Sequence, residues 1–123
     1  MPGTSRNVSI RSWNDANKYY EEHPKRNWPR VKLYYATKLG VDVSPHDGTR
    51  VFHLYYHGSE VIRWYKDGSI VINNHGYYTN TTRERLNSHM PIQYRIYQRK
   101  FEWYMSKPNG TFPYENGYLL DAS

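Results

Sequence analysis

Val51-Phe52-His53-Leu54-Tyr55-Tyr56-His57-Gly58-Ser59-Glu60-Val61-Ile62-Arg63-Trp64-Tyr65-Lys66-Asp67-Gly68-Ser69-Ile70-Val71-Ile72-Asn73 is the stretch that decides the fold. Short runs of β-branched and aromatic residues are interrupted by His57-Gly58-Ser59 and by Lys66-Asp67-Gly68. Such runs read as strands, and Asp-Gly between them is a strong hairpin signal. A loop at 57–59 sets Tyr56 against Glu60, Leu54 against Ile62 and Phe52 against Trp64. A loop at 66–68, with Gly68 left-handed, sets Trp64 against Ile70 and Ile62 against Ile72. Both place Phe52, Leu54, Ile62, Trp64, Ile70 and Ile72 on one face, and a slip of one residue would scatter them. The other face carries Val51, His53, Tyr55, Val61, Arg63, Tyr65 and Val71, a mixed set.

Upstream, Val31–Val43 has the same β character and is closed by the turn signal Pro45-His46-Asp47-Gly48. Before it runs a basic, proline-punctuated connector over 23–32. A first helix is expected over 13–22. Ser12 is its N-cap with Asp15 three residues on, and Trp13, Ala16, Asn17 and Tyr20 share a face. Pro24 ends it, because the residue before a proline is driven out of the helical region. Residues 1–11 are polar and aperiodic and read as a flexible tail, leaving 12–123 as a single domain.

Downstream, Thr81 with Glu84 reads as a capping box, opening a second helix over 82–89 that Pro91 closes. Ile92–Gln98 and Phe101–Met105 form a hairpin turning at Arg99-Lys100. That turn pairs Ile96 with Trp103 and Tyr94 with Met105 inside, and Arg95 with Tyr104 and Tyr97 with Glu102 outside. Thr111–Tyr114 reads as a short last strand, where Pro113 suits an edge. Tight turns between neighbours make the sheet antiparallel. The expected class is α+β, an antiparallel meander of about five to seven strands with two short helices.

Composition narrows the chemistry. The 123 residues carry a net charge of +6; only 37% are apolar and 17% are aromatic, with 14 Tyr. The core must therefore be built largely from rings. The absence of Cys excludes disulfides, thiolate zinc sites and Cys nucleophiles. No apolar run follows Met1-Pro2-Gly3-Thr4-Ser5-Arg6 and none approaches the length of a membrane span, so neither a signal peptide nor a membrane partner is expected.

From Arg50 to about Gly117 the chain resembles a family of small, uncharacterised bacteriophage proteins. The resemblance is carried by His57, Asp67-Gly68-Ser69-Ile70-Val71-Ile72-Asn73, Gly76-Tyr77-Tyr78-Thr79-Asn80-Thr81-Thr82 and Arg83-Glu84-Arg85-Leu86-Asn87. Tyr97-Gln98-Arg99-Lys100-Phe101-Glu102-Trp103-Tyr104 and Pro113-Tyr114-Glu115-Asn116-Gly117 complete it. Ser59, His75 and Tyr77 stand where Thr, Gly and Trp are usual in that pattern. The resemblance implies a phage origin and a place in the cytoplasm of the infected host; it implies no activity.

No catalytic constellation stands out. His53 and His57 lie four strand residues apart, ~13 Å, too far to share a metal. His75 could approach either, but no Cys or paired carboxylate completes a ligand set. Glu60, Glu84 and Glu102 are scattered, Ser59 lacks a nucleophile-elbow context, and no glycine-rich phosphate loop is present. No enzyme activity, metal or cofactor is expected. The start of the second helix, with Thr hydroxyls and Arg83, has the makings of an anion site, although caps and turns explain the same residues.

The remaining lead is basic and aromatic. Lys25, Arg26, Arg30, Lys32 and Lys38 form one cluster; Arg83, Arg85, Arg95, Arg99 and Lys100 form another, beside Tyr97 and Tyr104. Exposed Tyr next to Arg suits single-stranded nucleic acid, so the first expectation is an accessory protein binding nucleic acid or a nucleic-acid-bound host complex. Tyr and Arg equally form protein hot spots. The alternative is therefore a host-takeover or anti-defence protein docking a host protein through His53, Tyr55, Arg63 and Tyr65, or a minor virion component.

Overall fold

The computed structural model describes residues 10–23, 28–115 and 118–121. The first helix, α1, runs Trp13–Glu22. Ser12 caps it by accepting from the Asp15 amide at 3.2 Å, and the Asp15 carboxylate accepts from the Arg11 amide at 2.9 Å. His23 is already extended, as a residue preceding a proline should be. Trp13 and Tyr20 meet Phe52 edge-on, with ring centroids 5.8 and 6.1 Å apart, and Ala16 is fully buried.

Strands β1 (Arg30–Tyr34), β2 (Thr37–Val43), β3 (Arg50–Tyr56), β4 (Ser59–Trp64) and β5 (Ser69–Ile72) follow in a meander. The expected pairings Phe52–Trp64, Leu54–Ile62, Trp64–Ile70 and Ile62–Ile72 are all present, and all six side chains are buried. The turn between β3 and β4 differs from expectation. It has two residues, His57 and Gly58, both at positive φ (51° and 81°), so Tyr56 faces Ser59 rather than Glu60. Val61 is then an extra residue between the pairs Tyr55–Glu60 and Leu54–Ile62. This bulge restores the core register and puts the Glu60 carboxylate within reach of His53 on the outer face. Val61 itself, and Val51, are buried rather than on a mixed face.

The second helix, α2, spans Asn80–His89. Its N-cap is Thr79, whose hydroxyl accepts from the Thr82 amide at 3.2 Å. The expected cap, Thr81, lies inside the first turn, and Glu84 is two residues past the position, held by Thr82, that would close a capping box. Arg11 closes the other end, donating to the carbonyls of Asn87 (2.9 Å) and Met90 (2.7 Å), where a cation suits the helix dipole. The boundary expected at residue 11 therefore moves: Ile10 is buried and Arg11 is bound, while residues 1–9 lie outside the described residues.

The remaining strands are β6 (Arg95–Arg99), β7 (Glu102–Lys107), β8 (Gly110–Pro113) and β9 (Tyr118–Asp121). They do not extend the meander as one sheet. β6, β7 and β8 form a separate three-stranded sheet, and β9 returns to pair with β5 as the sixth strand of the large one. The fold is α+β with two antiparallel sheets, nine strands among the described residues.

The β6–β7 turn falls at Lys100-Phe101, not Arg99-Lys100. The shift is even, so sidedness survives: Ile96, Trp103 and Met105 are inside. The partners change, however. Ile96 faces Met105, Tyr97 faces Tyr104, and Arg95 faces Ser106. Asn87 fixes the hairpin to α2 by accepting from the Ile96 amide (2.7 Å) and donating to the Ile96 carbonyl (2.8 Å), as a neighbouring strand would.

The core between the large sheet, both helices and the small sheet joins Phe52, Trp64, Leu86, Ile96, Trp103, Met105 and Leu120 in one cluster. Composition points to a core built largely from rings, but aliphatic side chains supply most of it; the buried rings among the described residues are Phe52, Tyr56, Trp64, Trp103 and Tyr114. The tryptophans carry a cost. The indole nitrogens of Trp28, Trp64 and Trp103 are buried with no acceptor among the described residues, and an unmet buried donor costs about 1–3 kcal/mol.

Candidate functional site

Two surfaces carry the residues singled out from the sequence. The first is the β6–β7 hairpin. Tyr97 and Tyr104 stand opposite one another, half-exposed, with ring centroids 5.8 Å apart and planes 26° from parallel. They share a cleft of about 490 Å³ with Arg99, Lys100 and Glu102. Glu102 is the one acid here. It faces Arg99 across the ladder and accepts from the Tyr104 hydroxyl at 3.2 Å, which raises the Tyr104 pKa above the usual phenol range.

Arg83 and Arg95 line a separate cleft with Arg11 and Glu84. The Arg83 guanidinium is held by Gln98 on β6 and Asn80 on α2, both at 2.9 Å, so it ties helix to hairpin. Arg95, Arg99 and Lys100 are exposed.

Arg85 does not join this surface. It turns the other way, donates to the Thr37 hydroxyl at 2.8 Å and lies between the rings of Tyr34 (4.7 Å) and Tyr56 (4.9 Å). Only 12% of its side chain is exposed, so it is a packing residue clamping α2 to β1, β2 and β3.

The second surface is the outer face of the large sheet, where His53, Tyr55, Arg63 and Tyr65 do come together. Their organiser is Glu60. It accepts from His53 Nδ1 at 3.1 Å and, through both oxygens, from Arg63 Nε and Nη2 at 2.9 Å each. Arg63 also donates to the Tyr65 hydroxyl at 3.1 Å. Burial pushes the Glu60 carboxyl upward, but the hydrogen bonds from His53 and Arg63 outweigh it and leave the pKa below the usual value. Tyr65 and Glu60 together raise that of Arg63. Glu60 was hidden in the sequence because its side is set by the Val61 bulge. Tyr55 lies across Gly40, where a Cβ would stand 2.8 Å from its ring, and Arg30 covers the ring at 3.8 Å. Lys32 and Lys38 face one another on the same side. Lys25 and Arg26 lie outside the described residues.

A third cleft, about 330 Å³, lies where the β3–β4 turn meets the start of α2 and is lined by His57, Ser59, His75, Tyr77, Thr79 and Thr81 among others. Among the described residues no three His, Cys, Asp or Glu side chains converge as a metal site, and no helix is long and apolar enough to cross a membrane.

Residues 26–121 match the family model described as Kyanoviridae Gp96 protein. The match reaches further towards the N-terminus than the sequence resemblance, taking in β1 and β2 as well as the hairpin. No curated protein and no solved structure matches the chain. The chain belongs to the Kyanoviridae Gp96 protein family, a family of small phage proteins.

Proposed function

We propose that this phage protein is a non-enzymatic accessory protein that binds single-stranded nucleic acid, free or held in a host complex, through the β6–β7 hairpin. The observation that carries the reading is the Tyr97–Tyr104 pair, two half-exposed rings held beside the exposed cations Arg99 and Lys100. Rings that stack on bases beside cations that meet phosphates are the two parts a sequence-tolerant strand binder needs, and each stacked base contributes about 1–3 kcal/mol. Arg95, on the same side of β6 as Tyr97 and Arg99, extends the positive surface along the strand. The overall charge of +6 adds a long-range attraction to any polyanion.

The test is fluorescence anisotropy with a labelled, mixed-sequence single strand over a salt series. Tight binding at low salt that weakens linearly on a log–log plot supports the reading; no binding near 50 mM salt, about the lower end of the usual range, removes it.

A second reading, docking on a host protein, is favoured by the preordering of the outer sheet face. Glu60 holds His53 and Arg63, and Gly40 and Arg30 hold Tyr55, so little side-chain freedom remains to be lost on binding. With Arg30, Lys32, Lys38 and Arg63 on that side, the partner surface would be acidic. Capture of a host protein from infected-cell lysate that survives nuclease treatment, and is lost in Tyr55→Ala/Arg63→Ala, would favour this reading over the first.

A further inference from the structure

The β6–β7 turn is occupied by Lys100 and Phe101, both at positive φ, 51° and 68°. Two-residue turns of this kind favour Asn-Gly, because side chains with a Cβ are strained there. Phenylalanine is among the least suited residues, yet Phe101 is 93% exposed. Neither backbone preference nor packing accounts for a large apolar ring in water at this position. What surrounds it is specific. Arg99 and Lys100 precede it, and the ring borders a cleft of about 420 Å³ lined by Tyr78, Trp103, Tyr104 and Tyr114. In that cleft Tyr78 and Tyr114 meet Trp103 edge-on at 5.0 and 5.4 Å, giving a fixed aromatic wall beside the projecting ring.

We propose that Phe101 is a base-stacking wedge: its ring inserts between neighbouring bases of a bound single strand, one of which turns into the cleft beside Trp103, while Arg99 and Lys100 hold the flanking phosphates. The inference rests on the nucleic-acid reading above. Charge favours this occupant: Arg99 and Lys100 lead into the ring and draw in a phosphate backbone, against the single carboxylate of Glu102, which also lines the cleft. A wedge must project and must be held rigid, and a two-residue turn closing a paired ladder does both.

The experiment uses the full chain and two labelled strands of equal length and charge, one of mixed sequence and one carrying abasic sites along its middle. Wild type is compared with Phe101→Ala and Phe101→Gly. Loss of one stacked base is expected to weaken binding to the base-bearing strand by about tenfold or more. The preference over the abasic strand should shrink by the same factor, and the salt dependence should stay unchanged because no phosphate contact is removed. Phe101→Gly should melt at or above wild type, since glycine suits the positive φ. Wild-type affinity and wild-type preference in both variants would overturn the wedge and leave the nucleic-acid reading standing. Failure of wild type to bind either strand would remove both.

Discussion

Tyr97 packs against Tyr104 from directly across the β6–β7 ladder, ring centroids 5.8 Å apart. A cross-strand aromatic pair contributes about 0.5–1.5 kcal/mol beyond the area it buries. Its position on the outer side of the small sheet, away from Ile96, Trp103 and Met105, means that this stabilisation is local to the hairpin. The same pair can therefore face a ligand without the core depending on it.

The core depends on Trp64. It is fully buried, opposite Phe52 on one side and Ile70 on the other. Trp64→Ala should cost about 3–5 kcal/mol, enough to unfold a marginally stable domain. Thermal melting by near-ultraviolet circular dichroism checks it, and an unchanged midpoint would mean the facing of β4 is inverted.

The α2 cap gives a sharper comparison. Thr79→Ala should lower stability by about 1 kcal/mol through loss of the hydroxyl that accepts from the Thr82 amide. Thr81→Ala, inside the first turn and exposed, should change it by less than about 0.5 kcal/mol. Urea melts of the two variants measure both, and a larger loss for Thr81→Ala would move the cap back to that residue.

Acid should loosen the junction of β1, α2 and the chain at Ile10. His89 is 1% exposed, with Nδ1 2.8 Å from the Ile10 carbonyl and Nε2 2.7 Å from the Tyr34 hydroxyl. Burial, opposed by the Ile10 carbonyl and reinforced by the charges of Arg11 and Arg85, pushes its pKa down to about 4 from 6.5. The unfolded ring takes a proton first, so this contribution is complete above about pH 6.5 and is lost as pH falls towards 4. It amounts to roughly 3 kcal/mol. Melting midpoints at pH 7.5, 6 and 5 should fall, and His89→Gln should flatten that fall; the same slope in both proteins would contradict the assignment.

Arg85 should separate stability from binding. Arg85→Ala removes the bond to Thr37 and the contacts with Tyr34 and Tyr56, a loss on the order of 2 kcal/mol. Lysine should not restore it, lacking the planar fork. Affinity for a single strand, measured below the lowered melting point, should stay at the wild-type value.

How much of this was legible in the residues follows from what each depends on. The meander was legible because six apolar residues fix the facing of three strands, and a two-residue turn plus the Val61 bulge happens to reach the same register as the longer loop that the sequence favoured. Glu60 was not legible, since a bulge is a tertiary compromise with no signature of its own here. Thr79-Asn80-Thr81-Thr82 offers more than one capping hydroxyl, and only the backbone at Thr79 (φ −94°, ψ 156°) selects one. Arg-Lys-Phe contains nothing that asks for positive φ, so the residues alone point to a tip one residue early, at Arg99-Lys100. Arg85 shares a helix with Arg83 but points a different way, a matter of helical phase and of the Tyr34 and Tyr56 rings waiting there.

The most direct test of the account is the salt dependence of single-strand binding in Arg95→Glu/Arg99→Glu. Both side chains are exposed, and setting a carboxylate opposite Glu102 at the hairpin end costs only a few tenths of a kcal/mol, about the lower end for a cross-strand pair, so the melting temperature should fall only slightly. Each lost phosphate contact should flatten the log–log slope by about 0.7, and affinity at low salt should collapse. A folded double variant that binds the strand as tightly as wild type, with the same slope, would contradict the central claim that the β6–β7 hairpin is the nucleic-acid surface.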